Sequence, residues 1–337
     1  MGGVAVVMRH ADALAVRGHE VSVIEPTRPA GALRAVAVSA RDRLHGVSGQ
    51  RAHVAAHARV RRVRQVDTAS VGTQDVVVAT GYQTVPWVEA LSRGCGRPVL
   101  FAQHDERVLN PRQSHRWWNT TMPRIAVSEW LCARLGDAGK PCLGVVPNAI
   151  DPSRFHVTSP LESRPEAVIA LYHRHPAKGP ETLVSALREI RSQRPAARPT
   201  VVSSRRPSHR LPEGVRILLR PSRDELVADL NRSSIVLHTA QLEGWGLFPM
   251  EAAACGCAVV ATASLGPREY LRPDVSMVEV PVGDGEAIGR EAVRLLAEPD
   301  RRIPLATSAV ADVARFSWEA SHDRFEQFLD RVVTEAP

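Results

Sequence analysis

Two glutamates, Glu243 and Glu251, lie eight positions apart around a turn that contains Gly244, Gly246 and Pro249. The apolar run before them predicts a strand, and ligands of parallel α/β sheets bind beyond the carboxyl ends of the strands. The proline suits the first turn of a helix, whose free N–H groups attract phosphate. We therefore expect an anion site at this helix start, with Glu251 able to accept two hydrogen bonds from a ribose diol. The structural alternative is that Glu251 caps its helix and Glu243 is a solvated loop acid.

The basic residues are almost all arginine and are unevenly distributed. Of 43 lysines and arginines only Lys140 and Lys178 are lysine, so each remaining lysine is a candidate for a specific role. Residues 1–150 hold 19 basic and 11 acidic residues, a net charge of +8, which leaves −1 for the rest of the total of +7. This charge favours an anionic partner or a membrane surface for the first half of the chain, and we expect no nucleic-acid partner.

The five cysteines are odd in number and show no C-x-x-C pair, which favours reduced thiols over a disulfide framework. No apolar run reaches the length of a membrane-spanning helix, and the first residues do not resemble a signal peptide. We therefore expect a cytoplasmic protein, with peripheral contact to the inner face of the membrane as its closest association with lipid.

Short β-branched runs alternate with amphipathic stretches along the chain, a pattern typical of βαβ units with parallel sheets. We predict two doubly wound α/β domains, over residues 1–150 and 151–316, and a final helix over 317–337. The chain opens with Gly2 and Gly3 directly before a predicted helix. A doubly wound domain normally begins with a strand before such a glycine turn, so either the true start lies upstream or the first sheet lacks a central strand. Predicted strands cover 19–24, 59–66, 75–80, 98–103, 124–128, 167–173, 199–204, 215–219, 234–239, 258–262 and 277–282.

Residues 243–262, EGWGLFPMEAAACGCAVVAT, resemble the E-x7-E signature of retaining, family 4-type glycosyltransferases of GT-B fold. Three further segments are similar to that family in order and spacing, at 145–155, 177–187 and 264–271. The resemblance extends over essentially the whole chain, weakly at 27–74. It implies two Rossmann-like domains facing a cleft, with the last helix crossing back to the first domain.

The resemblance implies transfer of a hexose or deoxyhexose from a nucleotide diphosphate sugar to an acceptor hydroxyl, with retention of anomeric configuration. Charge builds on the departing diphosphate, so preorganised cations and N–H groups assist its departure. In this family Lys178 would hold the diphosphate, Glu251 the ribose and Glu243 the donor sugar near the reacting carbon. The turn that contacts the donor comprises Gly244, Trp245, Gly246, Leu247 and Phe248.

Other site residues follow from the same resemblance. The family usually places an arginine five residues before the lysine, where this chain has His173 followed by Arg174, and either could supply the second cation. His104, with Asp105 and Glu106 beside it, is similar to the histidine that meets the donor sugar, the alternative being a surface or capping role. Gly2 and Gly3 match the glycine turn that approaches the donor phosphate. The Q-x-D-E form at 103–106 resembles a subset that includes rhamnosyltransferases.

No D-x-D occurs in the chain, so we expect no metal, and no cofactor beyond the nucleotide sugar substrate. The acceptor would be a glycan, a lipid-linked glycan or a natural product. The basic run at 51–64 fits an anionic or membrane-associated acceptor, or is only a solvated arginine face. Trp117 and Trp118 form an acceptor platform or belong to the core.

Two classes of alternative remain at this point. The chain could be a non-catalytic glycosyltransferase-like partner protein, because it lacks the first strand and has His173 in place of arginine. It could also be a nucleotide-sugar epimerase or a phosphorylase on the same fold. A dehydrogenase is disfavoured, because no G-x-G-x-x-G follows an early strand.

Overall fold

The computed structural model describes residues 2–27 and 56–334. The chain divides into two compact units. Unit 1 comprises Met1–Val146 and Glu319–Pro337, and unit 2 comprises Pro147–Trp318. Every pair of neighbouring strands within the sheets is parallel. The predicted class, α/β with parallel sheets, is therefore confirmed.

Unit 1 contains a four-stranded sheet in the order β3-β4-β5-β6 and a separate two-stranded sheet, β1-β2. No strand among the described residues joins these two sheets. The strands are β1 (Ser22–Pro26), β2 (Arg59–Val63), β3 (Val76–Ala79), β4 (Arg97–Ala102), β5 (Arg124–Ala126) and β6 (Cys142–Val145). The helices are α1 (Gly2–Val16), α2 (Thr68–Val71), α3 (Val85–Glu89), α4 (Glu106–Leu109), α5 (His115–Asn119), α6 (Glu129–Asp137) and, at the end of the chain, α12 (Trp318–Thr334).

Gly2 and Gly3 are the first residues of α1, so the prediction that they form a turn before the helix is wrong. The apolar periodicity that follows buries one face of α1, including Val6 and Leu14, and the helix extends through both glycines. A Cβ atom on Gly3 would lie 3.1 Å from the Gln103 side chain, so glycine permits a close approach to the segment after β4.

Helix α12 packs against α1 within unit 1. Arg17 forms ion pairs with Asp323 and Glu326 at 2.6 and 2.5 Å. Nearby, Nδ1 of His10 lies 3.0 Å from Nδ1 of His322, in a buried cluster with aromatic rings. These contacts tie residues 319–334 to the helix that opens the chain.

Two of the five cysteines are paired, which corrects the expectation of reduced thiols. Cys132 in α6 and Cys142 in β6 form a disulfide, with their Cα atoms 5.6 Å apart. They meet because β6 follows α6 and returns beside it, a proximity that a spacing of ten residues does not reveal. The other three cysteines are buried free thiols.

The paired tryptophans do not form an exposed platform. Trp117 is 1% exposed and lies in the core of unit 1. Trp118 is packed against the same core, and the guanidinium of Arg107 lies 3.3 Å above the centre of its ring. The core alternative is therefore confirmed for Trp117. The basic run at 51–64 falls partly outside the described residues, and β2 forms its described part.

Unit 2 contains one six-stranded sheet in the order β12-β11-β10-β7-β8-β9. Its inner strands are buried because they are continuous β-branched and alanine runs, as a sheet covered on both faces requires. The strands are β7 (Ala167–Tyr172), β8 (Arg198–Ser203), β9 (Arg216–Leu219), β10 (Ile235–His238), β11 (Ala258–Thr262) and β12 (Met277–Val280). The helices are α7 (Pro180–Gln193), α8 (Arg223–Arg232), α9 (Leu247–Ala254), α10 (Gly285–Ala297) and α11 (Pro299–Val313).

Within the described ranges, no helix is both long and apolar enough to cross a membrane.

Candidate functional site

The sheet of unit 2 reverses its strand order between β7 and β10. From β7 the chain proceeds to β8 and β9 on one side, and from β10 to β11 and β12 on the other. Loops that leave two such neighbouring strands diverge and open a crevice at the carboxyl edge, the usual ligand site of an open parallel sheet. The loop after β7 carries Lys178, and the loop after β10 carries Glu243.

The two loops are held together by backbone contacts. The N–H of Gln241 donates to the carbonyl of Ala177 at 2.8 Å, and the Thr239 hydroxyl donates to the carbonyl of Lys178 at 3.2 Å. Gly179 has φ 62°, and a Cβ atom there would lie 1.9 Å from the Thr239 carbonyl oxygen. Only glycine fits this position without a shift of backbone, so the sequence Lys-Gly fixes where the lysine side chain begins.

Lys178 and Glu243 form an ion pair across the crevice. Nζ of the lysine lies 2.8 Å from both carboxylate oxygens of the glutamate. Their side chains are 23% and 16% exposed, so the pair is reachable from solvent but partly shielded from it. Such shielding strengthens the interaction of these charges with each other and with any ligand charge. The structure thus brings together two residues that the sequence places 65 positions apart.

Buried side chains hold the turn before α9 in place. Gly246 is the N-cap residue with φ 91°, and the buried Tyr270 hydroxyl donates to its carbonyl at 2.6 Å. Trp245 is 3% exposed, and its indole N–H donates to Sδ of Met250 at 3.2 Å. Phe248 is also buried. At Trp245 and Phe248 the side chains therefore build the core, and it is the backbone of the turn that can meet a ligand.

Helix α9 begins at Leu247, which places Pro249 in its first turn as expected, and the N-cap residue makes no side-chain cap. The first N–H groups of a helix have no intrahelical partner, so this end of α9 attracts negative charge. Glu251 lies in the second turn and does not cap the helix, so the capping alternative is wrong. Its Oε1 instead lies 3.1 Å from Nη1 of Arg223, the first residue of α8.

His173 and Arg174 follow β7 and differ in their surroundings. Nδ1 of His173 accepts a hydrogen bond from the N–H of His175 at 3.1 Å, which places the proton of the neutral ring on Nε2. Partial desolvation, and then the charge of Lys178, lower the pKa of His173. The ring is therefore neutral at neutral pH and is a poor substitute for the family's arginine. Arg174 is exposed and makes no ion pair with any described residue.

His238 is a residue that sequence reasoning missed. It ends β10, and its Nε2 atom is buried without a hydrogen-bond partner among the described residues. Burial lowers the pKa of His238 to about 4, with Glu243 and Lys178 as the neighbouring charges. The imidazole ring of His238 is therefore uncharged at neutral pH and lies near the Lys178–Glu243 ion pair. A histidine at the last position of a buried strand was the available signal.

Unit 1 contains the remaining predicted residues. His104 is 6% exposed, and its Nδ1 lies 3.0 Å from the carbonyl oxygen of Asp105, so the proton of the ring is on Nδ1. Asp105 is fully buried and forms ion pairs with Arg107 and Arg134 at 2.8 and 3.0 Å. It also accepts the Arg107 N–H at the start of α4. Asp105 is therefore a structural carboxylate, paired with two arginines within unit 1.

No group of three or more metal-ligating side chains is found among residues 2–27 and 56–334. The charged residues on the loops and helix starts of unit 2 include Lys178, Glu243, Glu251, Arg174 and Arg223. An arrangement of this kind can bind a phosphate through the cations and hydroxyl groups through the carboxylates.

Residues 154–309 match the family of glycosyl transferases group 1. The chain is 30% identical over 256 residues to D-inositol 3-phosphate glycosyltransferase of Segniliparus rotundus, an alignment that covers 70% of this chain and 54% of the relative. It is 27% identical over 247 residues to GDP-mannose-dependent monoacylated alpha-(1-6)-phosphatidylinositol monomannoside mannosyltransferase of Corynebacterium glutamicum, covering 65% of each. The chain thus spans between about half and two thirds of the length of these two relatives.

The fold is also found in solved structures. HepE of Anabaena in complex with UDP and glucose superposes with a TM-score of 0.71 at 16% identity, covering 98% of this chain and 96% of that one. Sucrose-phosphate synthase of Thermosynechococcus elongatus gives a TM-score of 0.70 at 17% identity, covering 97% and 92%. At such identities the likeness shows the fold alone, which is the predicted GT-B fold with two Rossmann-like domains.

Proposed function

We propose that this chain, whose residues 154–309 form a group 1 glycosyl transferase domain, is a retaining and metal-independent glycosyltransferase. It moves a hexose or deoxyhexose from a nucleoside diphosphate sugar to an acceptor hydroxyl. The observation that carries the proposal is the Lys178–Glu243 pair at the switch point of the sheet, beside the open start of α9. The Corynebacterium relative is named for GDP-mannose, and HepE was solved with UDP-glucose, which supports a hexose donor on either nucleotide.

Different residues of the crevice bind different parts of the donor. Lys178 and the first N–H groups of α9 bind the diphosphate, because both present positive charge to the same space. An ammonium group has three donors, so Lys178 can reach a phosphate oxygen while it stays bonded to Glu243. Glu251 accepts the two hydroxyl hydrogens of the ribose. Glu243 accepts hydroxyl hydrogens of the sugar, which lies next to the diphosphate.

In the reaction the bond from the anomeric carbon to the phosphate oxygen breaks, and its electron pair stays with the diphosphate. The acceptor oxygen forms a bond to the same face of that carbon, and its proton passes to the departing phosphate oxygen. Lys178 stabilises the negative charge of the leaving group, and the carboxylate of Glu243 stabilises the positive charge at the sugar. These fixed charges take the part that a metal ion plays in other transferases, which is the basis for proposing metal independence.

Three further residues complete the proposal. Arg174, exposed and without an ion pair among the described residues, supplies the second cation for the diphosphate. His173 donates a neutral hydrogen bond through Nε2. From the family resemblance, His104 of unit 1 is proposed as a sugar-binding residue; with its proton on Nδ1, Nε2 is the ring atom that can accept a hydrogen bond.

The acceptor is proposed to be anionic, in the cytoplasm or on the inner face of a membrane. Residues 1–150 carry a net charge of +8. The names of both curated relatives include a phosphate-bearing inositol compound. A positive domain raises the local concentration of such an acceptor, and the effect weakens as salt increases.

The test begins with a thermal-shift screen of UDP, GDP, ADP and dTDP and their sugars, because a ligand stabilises the folded state in proportion to its affinity. The nucleotide sugar that stabilises the protein most is then incubated with the protein and phosphatidylinositol or inositol phosphate. The anomeric configuration of the product is determined by NMR. We expect one nucleotide to raise the melting temperature by several degrees and the product to retain configuration. Inverted product refutes the mechanism, and turnover that EDTA abolishes and magnesium restores refutes metal independence.

A further inference from the structure

The ion pair between Arg223 and Glu251 links the first residue of α8 to the second turn of α9. Nη1 of Arg223 lies 3.1 Å from Oε1 of Glu251. The arginine side chain is 36% exposed and the glutamate side chain 14% exposed, so the carboxylate is the more buried partner of a pair that solvent can reach. The two residues are 28 positions apart in the chain and belong to different helices.

The backbone of Arg223 is fixed by local structure. Ser222 caps α8 and accepts the Glu225 N–H at 3.1 Å, while the Glu225 side chain accepts the Ser222 N–H at 2.7 Å. Before this capping box, Arg220 has φ 52°, a left-handed conformation that is strained for a non-glycine residue. Arg220 is held there by bonds to the carbonyl oxygens of residues 203 and 204. The side chain of Arg223 therefore extends from a backbone position that local contacts fix.

Helix stability does not account for an arginine at this position. A cation at a helix N-terminus opposes the helix dipole and so destabilises the helix slightly. A partly exposed ion pair stabilises the fold by a similarly small amount, so the two effects nearly cancel. The residue types that favour a helix start are already present as Asp224 and Glu225. Arg223 is therefore better explained by what it does to Glu251 than by what it does to α8.

We propose that Arg223 is a positioning residue for ribose recognition: it holds one oxygen of Glu251 and so fixes the plane of the carboxylate that accepts the 2′ and 3′ hydroxyl hydrogens of the donor. The proposal rests on the proposed function, in which Glu251 binds the ribose. A carboxylate has about four acceptor positions, so a carboxylate bonded to an arginine can also accept hydrogen bonds from a diol. Without this bond Glu251 can rotate, and the two ribose hydroxyls no longer find both acceptors in place.

The test is a comparison of ribose and 2′-deoxyribose nucleotides by calorimetry. Two pairs of probes are available, UDP with 2′-deoxy-UDP and GDP with 2′-deoxy-GDP. The pair used is the one that contains the nucleotide that the wild-type protein binds more tightly. A hydrogen bond to a charged group contributes enough that the wild type should prefer the ribose form by about tenfold or more. Arg223→Ala should weaken binding of the ribose form by about tenfold and change binding of the deoxy form by less than about threefold.

Two variants distinguish positioning from a general loss of charge or structure. Arg223→Lys keeps a cation and should retain part of the ribose preference. Arg232→Ala removes an arginine from the other end of α8, where it pairs with Asp229 at 3.0 Å, and should change neither affinity. In a Glu251→Ala background, Arg223→Ala should have no further effect on the ribose preference, because the carboxylate that it positions is absent.

The outcomes separate this inference from the proposed function. If the wild type binds none of the four nucleotides, the proposed function fails, and the inference fails with it. If the wild type binds and prefers ribose, but Arg223→Ala weakens both forms equally or neither, the donor site stands and the positioning role is refuted. If Arg223→Ala does not fold, Arg223→Lys and Arg223→Gln provide the same comparison.

Discussion

Replacing Gly179 with alanine should damage both the stability of unit 2 and its affinity for a nucleoside diphosphate. The residue has φ 62°, and its added Cβ would lie 1.9 Å from the carbonyl oxygen of Thr239 and 2.9 Å from the carbonyl carbon. Both neighbours are backbone atoms of the segment that leads from β10 to Glu243, so one of the two loops must move. Because Lys178 precedes Gly179, any such movement changes its distance to Glu243.

The control is Gly283→Ala. Gly283 also has a positive φ, 87°, but nothing lies within 4 Å of its added Cβ. Both variants bear the cost of the left-handed backbone, about 1–2 kcal/mol, and only Gly179→Ala adds an overpacking cost of roughly 1–3 kcal/mol. In a domain of this size 1 kcal/mol corresponds to about 2–4 °C in melting temperature. Gly179→Ala should therefore melt several degrees below Gly283→Ala.

The assay is differential scanning calorimetry of both variants, followed by titration with the nucleoside diphosphate that the wild type binds most tightly. We expect Gly283→Ala to bind like the wild type and Gly179→Ala to bind about tenfold more weakly or worse. Equal melting temperatures for the two variants would show that the loops are not packed as described. A destabilised Gly179→Ala with unchanged affinity would show that the position of Lys178 does not matter for binding.

Three other predictions concern the stability of the fold. Burial lowers the pKa of His10 to about 3 and the pKa of His322 to about 4, whereas a histidine of the unfolded chain has a pKa of 6.5. The two neutral rings therefore contribute their full stability above pH 6.5, and this stability is lost as the pH falls. For His10 the loss of folding free energy is about 2 kcal/mol at pH 5. The melting temperature of His10→Phe should therefore depend less on pH than that of the wild type. An identical dependence on pH in both proteins would contradict this prediction. Reduction of the Cys132–Cys142 disulfide should lower the free energy of unfolding by up to about 3 kcal/mol, because the disulfide closes a short loop. The nucleotide affinity should stay unchanged, because the disulfide belongs to unit 1. Calorimetry with and without dithiothreitol measures both quantities. Tyr270→Phe should lower the melting temperature by a few degrees, since the carbonyl of Gly246 loses its buried donor, and an unchanged melt would contradict that contact.

Much of the architecture was predictable because β-branched runs and amphipathic stretches alternate so regularly in this chain. Each of the eleven predicted strand segments overlaps a strand of the structure, and each begins within three residues of the observed start of that strand. The short helices α2, α4 and α5 were missed, because segments of four or five residues contain too few turns to show a period. Gly2 and Gly3 were misassigned because a glycine pair suggests a turn, whereas the apolar periodicity that follows was strong enough to carry the helix through them.

The candidate site was predictable in its parts but not in its pairings. Lys178 and Glu243 were each identified, but their direct contact depends on the neighbouring positions of β7 and β10 in the sheet, which no local pattern encodes. Arg223 was overlooked because arginine is abundant throughout the sequence. Its signal was positional: a cation directly after the N-cap serine, where an acid is favoured. The disulfide was missed for a related reason, since pairing of cysteines ten residues apart depends on how the chain returns.

The central claim is that the site formed by Lys178, Glu243 and Glu251 binds a nucleoside diphosphate, and calorimetric titration of UDP and GDP tests it most directly. The wild type, Lys178→Ala, Glu251→Ala and the control Lys140→Ala, which removes the only other lysine, are compared under one buffer and salt concentration. The account predicts that Lys140→Ala binds like the wild type, whereas Lys178→Ala and Glu251→Ala each lose about tenfold or more in affinity. Affinities equal to that of the wild type in both site variants would contradict it.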